Sequence, residues 1–155
     1  MGDSHPNPWS FSNDDENLFS PDKNFKVEYK SLNEIAMGSP LTGASYLIYN
    51  DKKIKLNEWS GGPCIWRREG DAVALPLWVE NNNQQILMVN LVDLTVVTFR
   101  RRFRVLYFRN FFGNTLSGID SPVYQPEKFI FNINNEKIEE ILPLKIHGDG
   151  VILLK

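Results

Sequence analysis

Apolar and polar residues alternate with a period of two along most of this chain, and the helical period of about 3.6 residues is weak throughout. Phe25 to Tyr29 is the first such run and reads as a half-buried strand. Tyr46 to Tyr49 meets a turn at Asn50-Asp51-Lys52 and returns as Lys53 to Leu56, a hairpin pattern. Ala72 to Trp78 is a further strand, in which Pro76 predicts an edge or a bulge because proline lacks the ladder's N–H donor. Ile86 to Leu91, a turn at Val92-Asp93 and Thr95 to Phe99 predict a second hairpin. Phe103 to Phe108 and Thr115 to Ile119 are single strands, the latter after a Gly113-Asn114 turn. Lys128 to Ile133, a turn at Asn134-Asn135 and Lys137 to Ile141 predict a third hairpin, and Val151 to Leu154 one last strand.

The pattern recurs. A polar turn, a strand, a loop and a hairpin succeed one another three times, and the hairpin turns stand about 42 residues apart, close to the period of propeller blades. A closed propeller needs about four to eight blades, so three units leave the ring open. The expected fold is therefore all-β and antiparallel. It is built either from blade-like units of an incomplete propeller or as a β-sandwich. Residues 1–24 form a polar N-terminal arm, broken by Pro6, Pro8 and Pro21, with Trp9, Phe11, Leu18 and Phe19 available to pin it to a core. Residues 25–155 form a single β domain with three approximate repeats.

Composition narrows the class. The chain has 155 residues and a net charge of −2, from 17 basic and 19 acidic side chains. A histone-like or ribosomal nucleic-acid binder would need a strong positive excess. The hydrophobic fraction of 42% suits a globular protein, and no apolar run approaches the ~18 residues of a membrane span. The N-terminus carries no secretory pattern, and the single cysteine, Cys64, fits a reducing cytosol.

Candidate chemistry is sparse. The only histidines are His5 and His147, far apart in sequence, and no cofactor fingerprint, metal-ligand spacing or catalytic constellation is present. Cys64, between Gly61-Gly62-Pro63 and Ile65-Trp66, reads as a small buried hydrophobe. The densest charge lies from Phe99 to Arg109. On a strand, Arg100, Arg102 and Arg104 would share one face, and Phe99, Phe103, Val105 and Tyr107 the other. A platform for single-stranded nucleic acid needs both on one side, so a solvated basic face is the simpler expectation. Trp9, Trp59 and Trp66 lie in or beside loops, where aromatic side chains are candidate anchors for a protein partner, and Trp66 is the expected contact. Asp14, Asp15, Glu16, Glu69 and Asp71 supply an acidic surface that would complement a basic one.

The chain resembles small bacterial immunity proteins, including those of contact-dependent growth inhibition systems. The likeness is carried by Asn7-Pro8-Trp9-Ser10-Phe11, Leu18 to Asp22, Glu34 to Pro40, Gly61 to Trp66, Val73 to Trp78, Phe103 to Leu106 and Gly118 to Pro122. The resemblance implies a cytoplasmic β-rich antitoxin. It would have no enzymatic activity, cofactor or metal, and would neutralise a cognate toxin C-terminal domain, expected to be a nuclease, by stoichiometric binding. Asp14, Asp15, Glu16, Trp66, Glu69 and Asp71 are the expected contacts. The alternatives are a single-stranded nucleic-acid module using Arg100, Arg102 and Arg104, and a propeller-like scaffold.

Overall fold

The computed structural model describes residues 6–144 and the backbone of 151–153. Among the described residues twelve strands make two sheets. The large sheet contains β1 (Phe25–Glu34), β2 (Leu41–Tyr49), β3 (Lys52–Ser60), β5 (Ala72–Val79), β6 (Asn83–Asn90), β7 (Thr95–Phe99) and β11 (Ile138–Pro143), in that order. The short β4 (Ile65–Trp66) pairs with β5, and β12 (Val151–Leu153) runs parallel to β3. The small sheet is β10 (Glu127–Asn132), β9 (Thr115–Asp120) and β8 (Leu106–Phe112). All pairings other than that of β12 are antiparallel, so the all-β expectation stands.

The large sheet is nearly severed between β3 and β5, which meet only at Ser60 and Leu77 and through the Gly61 N–H donating to the Pro76 carbonyl. Across this break its two halves bury a common core. Val27, Leu47 and Ile54 on one half join Val73, Leu75, Leu87 and Val89 on the other. The alternate residues of β5 to β7 (Ala74, Ile86, Met88, Val97 and Phe99) face the opposite way. They pack on Phe108, Phe111, Leu116, Phe129 and Phe131 of the small sheet. The middle strands are thus buried on both faces, which is why Ala72 to Leu77 is an almost unbroken apolar run. Pro76 is neither at an edge nor in a bulge of its pairing with β6. It sits where β5 passes from its contact with β3 to its contact with β4, the place where its missing donor does least harm.

The first two predicted hairpins form. Asn50 and Asp51 close β2 to β3 with φ of 50° and 63°, the left-handed pair that matches strand twist, and β6 and β7 pair from Leu87 to Asn90. The third does not form. β10 pairs with β9 and β11 with β7, so the Asn134-Asn135 turn carries the chain from one sheet to the other. Asn135 and Glu136 N–H groups donate to the Asn132 carbonyl and the Asn134 N–H to the Asn132 side chain, which turns the chain away from β10. The third unit is therefore no blade.

From Pro6 onward the arm is structured. Phe11 and Leu18 are buried in the first core, and a single 3-10 turn spans Glu16–Leu18. No helix of the described residues is long and apolar enough to cross a membrane.

Candidate binding groove

Arg100 to Val105 is not a strand, contrary to the alternation read from the sequence. The segment carries the chain out of β7 in the large sheet to β8 in the small one, and such a crossover cannot keep a two-residue period. Phe103 alone is buried. It exchanges backbone hydrogen bonds with Gln84 at 2.7 and 2.8 Å. Arg100, Arg101, Arg102 and Arg104 are all exposed.

Two buried or part-buried polar side chains hold this crossover. The Gln84 amide oxygen accepts the Leu106 N–H at 2.6 Å, and Gln84 is 1% exposed. The Asp120 carboxylate accepts the N–H groups of Arg104 and Val105 at 2.9 and 3.0 Å. The Ser121 N–H donates to the Val105 carbonyl, closing the join to β9.

Beside the crossover lies a groove of about 890 Å³. One wall is Arg104 and Val105, another is Trp78 to Asn83 at the β5–β6 connection, and the third is Ile35, Ala36, Ser39 and Pro40 with Trp59. The Ile35–Pro40 loop is tied down by the arm. The Trp9 indole donates to the Gly38 carbonyl at 3.0 Å, and the Leu41 N–H donates to the Pro8 carbonyl at 2.9 Å. Of the lining residues, Ile35 and Trp59 are 64% and 57% exposed. Exposed side chains of this size cluster where proteins bind partners.

The acidic residues are placed differently. Arg67 gathers Glu69 and Asp71: its Nη1 donates to Asp71 at 2.7 Å, and its Nε lies 3.6 Å from Glu69 while donating to the Gly113 carbonyl at 2.7 Å. Glu69 also accepts the Gly113 N–H. This cluster joins the β4–β5 turn to the β8–β9 turn, so much of its charge is balanced internally. Asp15 accepts the Ser12 N–H at 2.7 Å, and Glu16 pairs with Lys23 at 3.1 Å. Asp14 is exposed. Pro21 packs toward Gly70 and the 3-10 turn packs on β4, which brings the arm alongside the Arg67 turn. Trp66, expected as an anchor, is 7% exposed, and its indole donates to the Leu18 carbonyl at 2.9 Å. It fastens the arm to the core and offers no surface. Trp59, placed in or beside a loop by the sequence like Trp9 and Trp66 but not among the expected contacts, is the exposed one. Its signal was the Glu58-Trp59 pair, where the apolar alternation of β3 fails.

Arg100, Arg102 and Arg104 form no ion pair with a described residue, whereas Arg101 pairs with Glu136 at 3.0 Å. The Arg104 guanidinium lies 5.7 Å from the Tyr124 ring centre. Cys64 is buried in the first core, and that burial pushes its thiol pKa far up, which keeps it protonated and unreactive. His5 and His147 lie outside the described residues. Among the described residues no cluster of three or more His, Cys, Asp or Glu side chains is arranged to hold a metal. Comparison with protein-family models, with curated proteins and with solved structures finds no match to this chain.

Proposed function

We propose that this chain is an immunity protein, a cytosolic binder that neutralises a cognate toxin domain by stoichiometric association. The toxin is a nuclease on the resemblance drawn from the sequence. The observation that carries the reading is the groove edged by the exposed side chains of Ile35 and Trp59. Aromatic side chains are enriched at protein interfaces, where a few anchors supply most of the affinity. The walls are pinned by Trp9, Gln84 and Asp120, so a partner meets a preformed surface and little ordering cost opposes binding. The test is co-expression with the product of the adjacent gene, one partner tagged. A 1:1 complex with loss of the neighbour's toxicity supports the reading. A chain that elutes alone while the neighbour remains toxic refutes it.

One observation favours a second reading. Arg104 shares the groove with Trp59 and Trp78, so a cationic side chain and aromatic rings stand together as single-stranded nucleic acid requires. Salt-sensitive binding of an oligonucleotide, lost on replacing Arg100, Arg102 and Arg104 by Ala, would establish it. No binding at low salt would dismiss it.

A further inference from the structure

We infer that the groove between Trp59, Trp78 and Arg104 docks an acidic peptide segment carrying an apolar anchor, on a face of the toxin away from any phosphate-binding surface. This rests on the binding reading above and moves its site from the acidic cluster to the arginine crossover.

Charge decides the polarity of the occupant. The acidic residues first expected to meet the partner are largely engaged within the chain: Glu69 and Asp71 by Arg67, Glu16 by Lys23, and Asp15 by the Ser12 N–H. A carboxylate already beside a cation presents less net charge to a partner than an unpaired one. Arg100, Arg102 and Arg104 have no such partner among the described residues, and Arg104 stands on the groove wall. Its backbone is fixed by Asp120, so binding would order only the side chain. A carboxylate can meet a guanidinium with two parallel hydrogen bonds, which gives direction as well as attraction.

The lining decides the rest. Ile35, Pro40, Val79 and Val105 join the two indoles in an apolar floor, which fits one or two aliphatic or aromatic side chains. A nucleic-acid strand is disfavoured. It requires several phosphate contacts, yet only one arginine lines the groove. Glu80 lines the same groove and Glu34 the adjoining cleft that shares Ile35, Thr42 and Trp59, where Lys30 also stands and Glu58 is paired with Lys55. The Glu80 carboxylate would repel a phosphate seated beside Arg104. A short peptide can set its acidic residue at Arg104 and keep uncharged residues toward Glu80.

The probe is a library of short random peptides displayed on phage, selected on the full chain. The double variant Trp59→Ala, Arg104→Glu serves as counter-selection. Both side chains are exposed, so the variant keeps the fold, which its melting curve verifies. The expected result is enrichment of peptides with Asp or Glu near a large apolar residue. Each single variant should weaken them more than about tenfold, and Arg104→Lys should recover part of the loss. Peptides without acidic residues, peptides bound equally by the double variant, or the absence of any selected sequence would overturn the inference. So would a thymidine oligonucleotide that competes for the same site. The neighbour's co-purification separates the two proposals. A complex with the neighbour that survives the double variant leaves the inhibitor reading standing and removes the groove. Selected peptides with no neighbour complex do the reverse.

Discussion

Gln84 is the side chain on which the join between the two sheets depends most directly, and its replacement gives a worked test. Its amide oxygen accepts the Leu106 N–H at 2.6 Å from a site 1% exposed to solvent. Gln84→Met keeps an unbranched chain of similar length and removes the acceptor together with the amide N–H donors. The Leu106 N–H is then buried without a partner, which costs about 1–3 kcal/mol. For a domain of this size each kcal/mol lowers the melting temperature by about 2–4 °C, so a fall of roughly 2–12 °C is expected. Gln84→Ala adds a cavity to the same lost bond and should cost about 3–5 kcal/mol. Gln85 provides the contrast. It is equally buried, but its amide donates at 3.3 and 3.2 Å to the Arg100 carbonyl and to Glu139, both near the surface. Gln85→Met should cost no more than about 1 kcal/mol. Urea unfolding followed by far-UV circular dichroism measures all three. A Gln84→Met midpoint equal to wild type, or one less shifted than Gln85→Met, would refute the claim that this hydrogen bond holds the crossover.

Reversing Glu69 and Asp71 together to Lys places two cations beside Arg67; a loss of about 1–3 kcal/mol is expected in thermal melts, and an unchanged melt would show that the Arg67 cluster ties no turns together. Gly118→Ala would drive a methyl group into the Tyr107 carbonyl and set it 3.0 Å from the Phe108 backbone, so the β8–β9 pairing must shift; the expected cost is above about 2 kcal/mol by urea unfolding, against near neutrality if the strands yield freely. Burial raises the folded-state pKa of both Cys64, ordinarily 9.0, and Tyr29, ordinarily 10.0, so the unfolded chain releases these protons first. Their stabilising contribution is therefore complete below pH 9 and falls above it, by about 1.4 kcal/mol per pH unit for each proton. Cys64→Ala should remove the earlier loss and Tyr29→Phe the later one, and stability that is flat from pH 9 to pH 11 would contradict the burial of both.

What the sequence determined by itself was local. A two-residue period needs only neighbours to be read, and it marked almost every strand. Asn50-Asp51 announced its turn because those residue types tolerate positive φ. Cys64 declared itself buried through its apolar surroundings. The arm's Phe11 and Leu18 were legible as pins because apolar residues stood alone in a polar stretch. Tertiary structure decided which strands meet. The pairs at Asn134-Asn135 and Asn50-Asp51 look alike in sequence, yet one closes a hairpin and the other changes sheets, because β9 and β7 compete for the strands on either side. The same holds for the groove. Arg104 was assigned to a strand face from alternation alone, and only the hydrogen bonds from Gln84, 20 residues earlier, and Asp120, 16 residues later, pull it into a crossover beside Trp59 and Trp78. Trp66 and Trp59 exchanged roles for the same reason. A side chain's exposure is set by what folds over it, and what folds over Trp66 is Leu18, 48 residues away in the chain.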